Sequence, residues 1–109
     1  MFRFWSRIRQ SSPAEALASL GVDGLLIDVR TAQEFRAGHA RGSTSIPLTM
    51  LDARAGGLPR ERAIHCICAS GVRSRAAARL LERAGFPNVS SVRGGTAAWS
   101  RAGLPLERG

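Results

Sequence analysis

Two short apolar runs, LLIDV at residues 25–29 and AIHCIC at 63–68, and a third strand-like stretch, NVSSV at 88–92, are each followed by a segment with helical character. This alternation restricts the fold more than any other feature of the chain. Runs of five or six residues are short for a helix and suit strands buried in a sheet. Strands that alternate with helices pair in parallel, because the helix carries the chain back to the same end of the sheet. The expectation is an α/β domain with a mainly parallel sheet. In such sheets ligands bind at the carboxyl ends of the strands. Those ends bring together Asp28 to Arg30, Cys68 to Arg73, and Arg93 to Gly95: a carboxylate, a thiol and several arginines on one edge.

The connecting segments carry their own signals. SSPAEALASLG reads as a first helix, with Ser12 as N-cap, Pro13 at the first helical position, Glu15 completing a capping box and Gly21 at the end. TAQEFRAG is a second, from Thr31 to Gly38. STSIPL holds a small strand near residues 44–46, and Pro47 then opens a loose helical turn through Met50 and Leu51. ARAGGLPRER, at 53–62, reads as a surface loop because its glycines and proline break both periodicities. After Cys68, Ala76, Ala77, Leu80, Leu81 and Ala84 form the expected buried stripe of a helix. Arg75, Arg79, Glu82 and Arg83 lie opposite, and Gly85 and Pro87 stop it. Trp99 is the expected core residue of the last helix.

At 109 residues and 44% hydrophobic content the chain makes one domain. Residues 1–11 read as a basic N-terminal tail and 12–109 as the domain. The tail sequence MFRFWSRIRQ lacks the apolar core of a signal peptide, and its sharper reading is a weak membrane-surface or partner-docking segment. No stretch approaches the ~20 apolar residues of a membrane span, so no firm membrane association is expected. The only cysteines are Cys66 and Cys68, which cannot form a disulfide framework, and a reducing, cytoplasmic setting fits them. With only His39 and His65 beside them they cannot supply a four-ligand zinc site, and no metal or cofactor is expected. The formal net charge is +8, and all 16 basic residues are arginines. Such a balance favours anionic partners. No recognition motif or stacking platform accompanies the charge, so nucleic acid is not expected as a partner.

The segment CASGVR concentrates the chemistry. Four small or apolar residues, Ala69 to Val72, separate the thiol from the guanidinium, and a glycine among them lets the loop curl with its amides inward. The helix that follows adds its partial positive charge. A thiol at the centre of such a ring has a depressed pKa and is largely thiolate at neutral pH. No histidine adjoins it, so the activation is electrostatic rather than by proton abstraction. Cys66, inside the apolar run, reads as core, and a Cys66–Cys68 redox pair is disfavoured because C-x-C spacing strains the ring.

Three segments together resemble a single-domain rhodanese, a sulfurtransferase: LIDVRTAQEFRAGHARGSTSIPL, CASGVRS and VRGGTAAW. The likeness runs from about Gly24 to Gly103, with Ala40 and Arg41 as minor departures from the usual pattern. It implies a three-layer domain, with helices on both faces of the sheet. It also implies that Cys68 takes a sulfane sulfur from a small anionic donor such as thiosulfate and passes it to a thiophilic acceptor, small molecule or protein. Ala69, Ser70, Gly71, Val72, Arg73 and Ser74 would form the substrate loop, with Arg73 ordering it and adding charge. Asp28 and Arg30 would brace the fold beneath, with Arg30 paired to Glu34. His39 is expected to be a structural hydrogen-bonder, and Arg75 and Arg93 either draw in the donor or are merely solvated. A monomer is the expectation. One alternative is a persulfide carrier or docking module that acts only with a specific protein. Another is a phosphatase or arsenate reductase of the same fold, disfavoured because the loops of that class hold one more residue between Cys and Arg.

Overall fold

The computed structural model describes residues 8–109. In chain order it contains β1 (Gln10–Ser11), α1 (Pro13–Leu20), β2 (Leu25–Asp28), α2 (Ala32–Ala37), β3 (His39–Ala40), β4 (Ser43–Ser45), α3 (Leu48–Arg54), a 3-10 turn (Ala55–Gly57), β5 (Ile64–Ile67), α4 (Val72–Arg83), β6 (Val89–Val92), α5 (Gly95–Arg101) and β7 (Leu106–Glu107). The main sheet is parallel throughout, in the order β1-β6-β5-β2-β4. A separate antiparallel pair joins β3 to β7.

The period-2 alternation of the strands divides the core in two. Ile27, Ile64, Cys66 and Cys68 face one way and pack with Leu51 of α3 and with Ala77, Ala78 and Leu81 of α4. Leu26, Ile67 and Val92 face the other way, against Ala16 of α1 and Trp99 of α5. These are the three layers expected, with helices on both faces. Trp99 is fully buried and its indole N–H donates to the Pro105 carbonyl at 2.8 Å.

The capping signals hold in detail. Glu15 N donates to Ser12 Oγ at 3.0 Å, and Ser12 N donates to Glu15 Oε1 at 2.7 Å. Thr31 and Glu34 make the same reciprocal pair at the start of α2. Other elements differ from the sequence reading. The loose turn after Pro47 is a full helix reaching Arg54, so the expected loop at 53–62 begins two residues late and starts with a 3-10 turn. The buried stripe of α4 is Ser74, Ala77, Ala78 and Leu81, while Ala76 and Ala84 are exposed. A run of three alanines carries no signal to choose between adjacent stripes. The edge strand β1 comes from the stretch read as a tail: Ile8 is buried, and Gln10 and Ser11 pair with Ser91 and Val92. Residues 1–7, where the membrane-surface or docking reading falls, lie outside the described residues.

Candidate active site

The end of β5 delivers Cys68 into a tight loop that becomes α4 four residues later, at Val72. Gly71 makes the turn possible. As the N-cap of α4 it has φ +111°, a left-handed conformation that a side chain disfavours, and it aims its N–H at the Cys68 Sγ from 3.0 Å. Ser74, in the first turn of α4, is fully buried. Its hydroxyl lies 3.5 Å from Cys68 Sγ, 3.1 Å from the Gly71 carbonyl and 2.6 Å from the hydroxyl of Ser91 on β6.

These contacts decide the state of the sulfur. Burial is the largest single influence on Cys68 and pushes its pKa up. Hydrogen bonds from the Ser74 hydroxyl and from the amides of Ser74, Gly71 and Ser70 together outweigh it, so the thiol is held below its usual value. Two residues earlier, Cys66 shares the same face of the strand without such donors. Burial, reinforced by the neighbouring Cys68, pushes it up to about 12. One strand face thus presents one thiol held above its usual pKa and one held below it.

The charged residues around the loop pair differently from the sequence reading. Arg30 does not reach Glu34. It folds back on Asp28, with Nη2 2.8 Å from Oδ2 and Nε 3.0 Å from Oδ1, and donates also to the Gly38 carbonyl at 2.7 Å. Both members of this pair are buried at the end of β2. Glu34 is held by the Thr31 cap and takes the guanidinium of Arg73 in a two-pronged contact, at 2.8 and 3.0 Å. Hydrogen bonding to Arg73, with the Thr31 amide next, lowers Glu34 to about 2. Arg73 therefore clasps the start of α4 to α2. Val72 stands exposed and Ser70 is exposed beside it.

His39 is a structural hydrogen-bonder, its Nδ1 2.7 Å from the Phe35 carbonyl and its ring stacked on that of Phe35. Arg93 donates to Gln10 Oε1 at 3.0 Å, which directs it toward β1. Sequence reasoning missed Ser91, which nothing in NVSSV distinguishes from Ser90. It also missed the cluster of Ser11, His65 and Ser90. There His65 Nδ1 lies 3.0 and 2.9 Å from the two hydroxyls and ties β1, β5 and β6 together, on the sheet face away from Cys68. Among the described residues, no three His, Cys, Asp or Glu side chains lie together as a metal site.

Known proteins share this architecture. A sulfurtransferase from Allochromatium vinosum is 36% identical over 84 residues, covering 77% of this chain and 78% of that protein. The thiosulfate sulfurtransferase GlpE of Vibrio cholerae is 33% identical over 82 residues, 75% of this chain and 77% of that one. The crystal structure of a rhodanese-related protein from Thermoplasma volcanium superposes with a TM-score of 0.83 at 30% identity, covering 91% of this chain and 97% of the other. Residues 12–102 match the rhodanese-like domain, and the chain belongs to that family of sulfurtransferases.

Proposed function

We propose that Cys68 is the sulfur-carrying nucleophile of a thiosulfate-type sulfurtransferase. The observation that carries this reading is the Gly71 N–H on Cys68 Sγ at 3.0 Å, within a ring of donors that holds the thiol below its usual pKa. The thiolate attacks the outer sulfur of thiosulfate or a related small anion. A new S–S bond forms to Cys68, the donor's S–S bond breaks, and sulfite leaves with the electron pair. The ring of amides then stabilises the anionic persulfide as it did the thiolate. A thiophilic acceptor, small molecule or protein, attacks the outer sulfur and returns the Cys68 thiolate, so the kinetics are ping-pong. Cys68 is only 1% exposed. The persulfide's outer sulfur extends about 2 Å beyond it and is the atom an acceptor can reach.

Within the substrate loop 69–74, Ser70, Gly71 and Ser74 supply the donors of the ring, and Arg73 shapes it through Glu34. That clasp also speaks against phosphatase chemistry, because the guanidinium that would meet a phosphate is already bound on two prongs. The free thiols of Cys66 and Cys68 suit a reducing compartment, and we place the activity in the cytoplasm.

Intact mass spectrometry after incubation with thiosulfate and desalting without reductant tests the assignment. The expected result is a gain of one sulfur atom, absent in a folded Cys68→Ser variant. Loading that persists in Cys68→Ser would remove Cys68 from the role.

A further inference from the structure

The Gly94–Gly95 pair has no part in the chemistry described so far, yet it lies against the loop. Both residues have positive φ, +75° and +60°. Thr96 N donates to the Cys68 carbonyl at 2.8 Å and Ala97 N to the Ala69 carbonyl at 3.2 Å. A Cβ on Gly95 would stand 2.3 Å from the Cys68 oxygen, 2.6 Å from the Ala69 oxygen and 2.7 Å from the Ala69 carbonyl carbon, all backbone. No other residue lets α5 approach this closely.

A trans peptide is rigid, and its C=O and N–H point in opposite directions. The peptide whose oxygen is Ala69 O carries the N–H of Ser70, one of the donors to Cys68. Holding Ala69 O against α5 turns that N–H toward the sulfur. The bond to the oxygen also polarises the peptide and strengthens its donor end. The first amides of α5, which have no partner within their own helix, gain acceptors in the same contact.

We propose that Gly95 is a positioning residue: its missing side chain lets α5 clamp the Cys68 and Ala69 carbonyls, and that clamp keeps the loop amides aimed at the sulfur. The proposal rests on the reading of Cys68 as nucleophile and deepens it. Gly95→Ala forces the Ala69 peptide to move and weakens the donor ring, while Cys68 and its neighbours keep their identities.

The test compares Gly95→Ala with Gly94→Ala. The atoms nearest a Cβ on Gly94 are those of Ala98, at 2.6 and 3.8 Å, and Arg101, at 3.9 Å, in its own helix and not the Cys68 and Ala69 carbonyls, so it strains the same turn without a direct clash at the clamp. The ultraviolet absorbance of the thiolate is titrated in each variant and corrected with the matching Cys68→Ser protein. Gly95→Ala is expected to raise the Cys68 pKa by about one unit, roughly tenfold less thiolate below it. Gly94→Ala is expected to lower thermal stability and leave the titration in place. An unchanged Cys68 titration in folded Gly95→Ala, or an equal rise in both variants, overturns the proposal. If Gly95→Ala does not fold, hydrogen exchange on the wild type decides: Thr96 and Ala97 amides should exchange as slowly as those of β5, and fast exchange rules the clamp out. The titration does not depend on turnover. Failure of the wild type to load sulfur would count against the function of Cys68 and leave this comparison intact.

Discussion

Glu34→Gln should destabilise the protein in a way that depends on pH within a defined window. The wild-type carboxylate is drawn down from its usual 4.5 to about 2, chiefly by Arg73. A carboxylate with a depressed folded-state pKa contributes stability above the unfolded value and loses it as pH falls toward the folded one. The contribution is therefore complete above pH 4.5 and fades toward pH 2. Fully realised, a drop of that size would be on the order of 3 kcal/mol by proton linkage. Both side chains of the pair are 37% exposed, however, so water screens much of it. The expected loss in Glu34→Gln at neutral pH is about 0.5–1 kcal/mol. Gln can still accept the Thr31 N–H that Glu34 now accepts at 3.0 Å, so the cap survives; the variant removes the charge and the second prong, whose acceptor Oε2 becomes an NH2 facing Arg73 Nη2. Urea denaturation of both proteins from neutral pH downward is the assay. The other carboxylates cancel in the difference. The gap should stay constant down to pH 4.5 and then close. A gap that holds steady below 4.5, or no gap at neutral pH, refutes the reasoning.

Arg73→Ala should lower kcat/KM for sulfur transfer about tenfold to a hundredfold, the equivalent of one charge-assisted contact of roughly 1.5–3 kcal/mol. A folded variant with wild-type kcat/KM would remove the clasp from catalysis. Cys66→Ser places a hydroxyl in the apolar core and should cost about 1–3 kcal/mol by chemical denaturation. It should still load sulfur from thiosulfate, and loss of loading in the folded variant would show that Cys66 is more than packing. Asp28→Ala leaves the buried Arg30 guanidinium without its carboxylate and should cost about 3–5 kcal/mol. A loss below about 1 kcal/mol would mean Arg30 reaches water in its place.

What the sequence by itself determined is local. The caps of α1 and α2 are hydrogen bonds between residues three apart, Ser12 with Glu15 and Thr31 with Glu34, and they form wherever those side chains stand at a helix start. The Cys68 ring is equally short-range: Gly71 closes it across three residues, because only a glycine takes that turn readily. The alternation of strand and helix then leaves few arrangements besides a parallel three-layer sheet.

What the tertiary structure decided are the partners across distance. Arg30 had a carboxylate four residues ahead and another two behind. The strand end, which buries Asp28, selected the latter. That left Glu34 for Arg73, 39 residues away, a pairing that exists only because α2 and α4 start side by side at the same edge of the sheet. The same holds for Gln10 and Ser11, too short a strand to show any periodicity, which order by completing the exposed edge of β6. It holds also for Gly95. Its fitness for that position is set by a carbonyl 27 residues earlier in the chain, which packing brings to within a side chain's width.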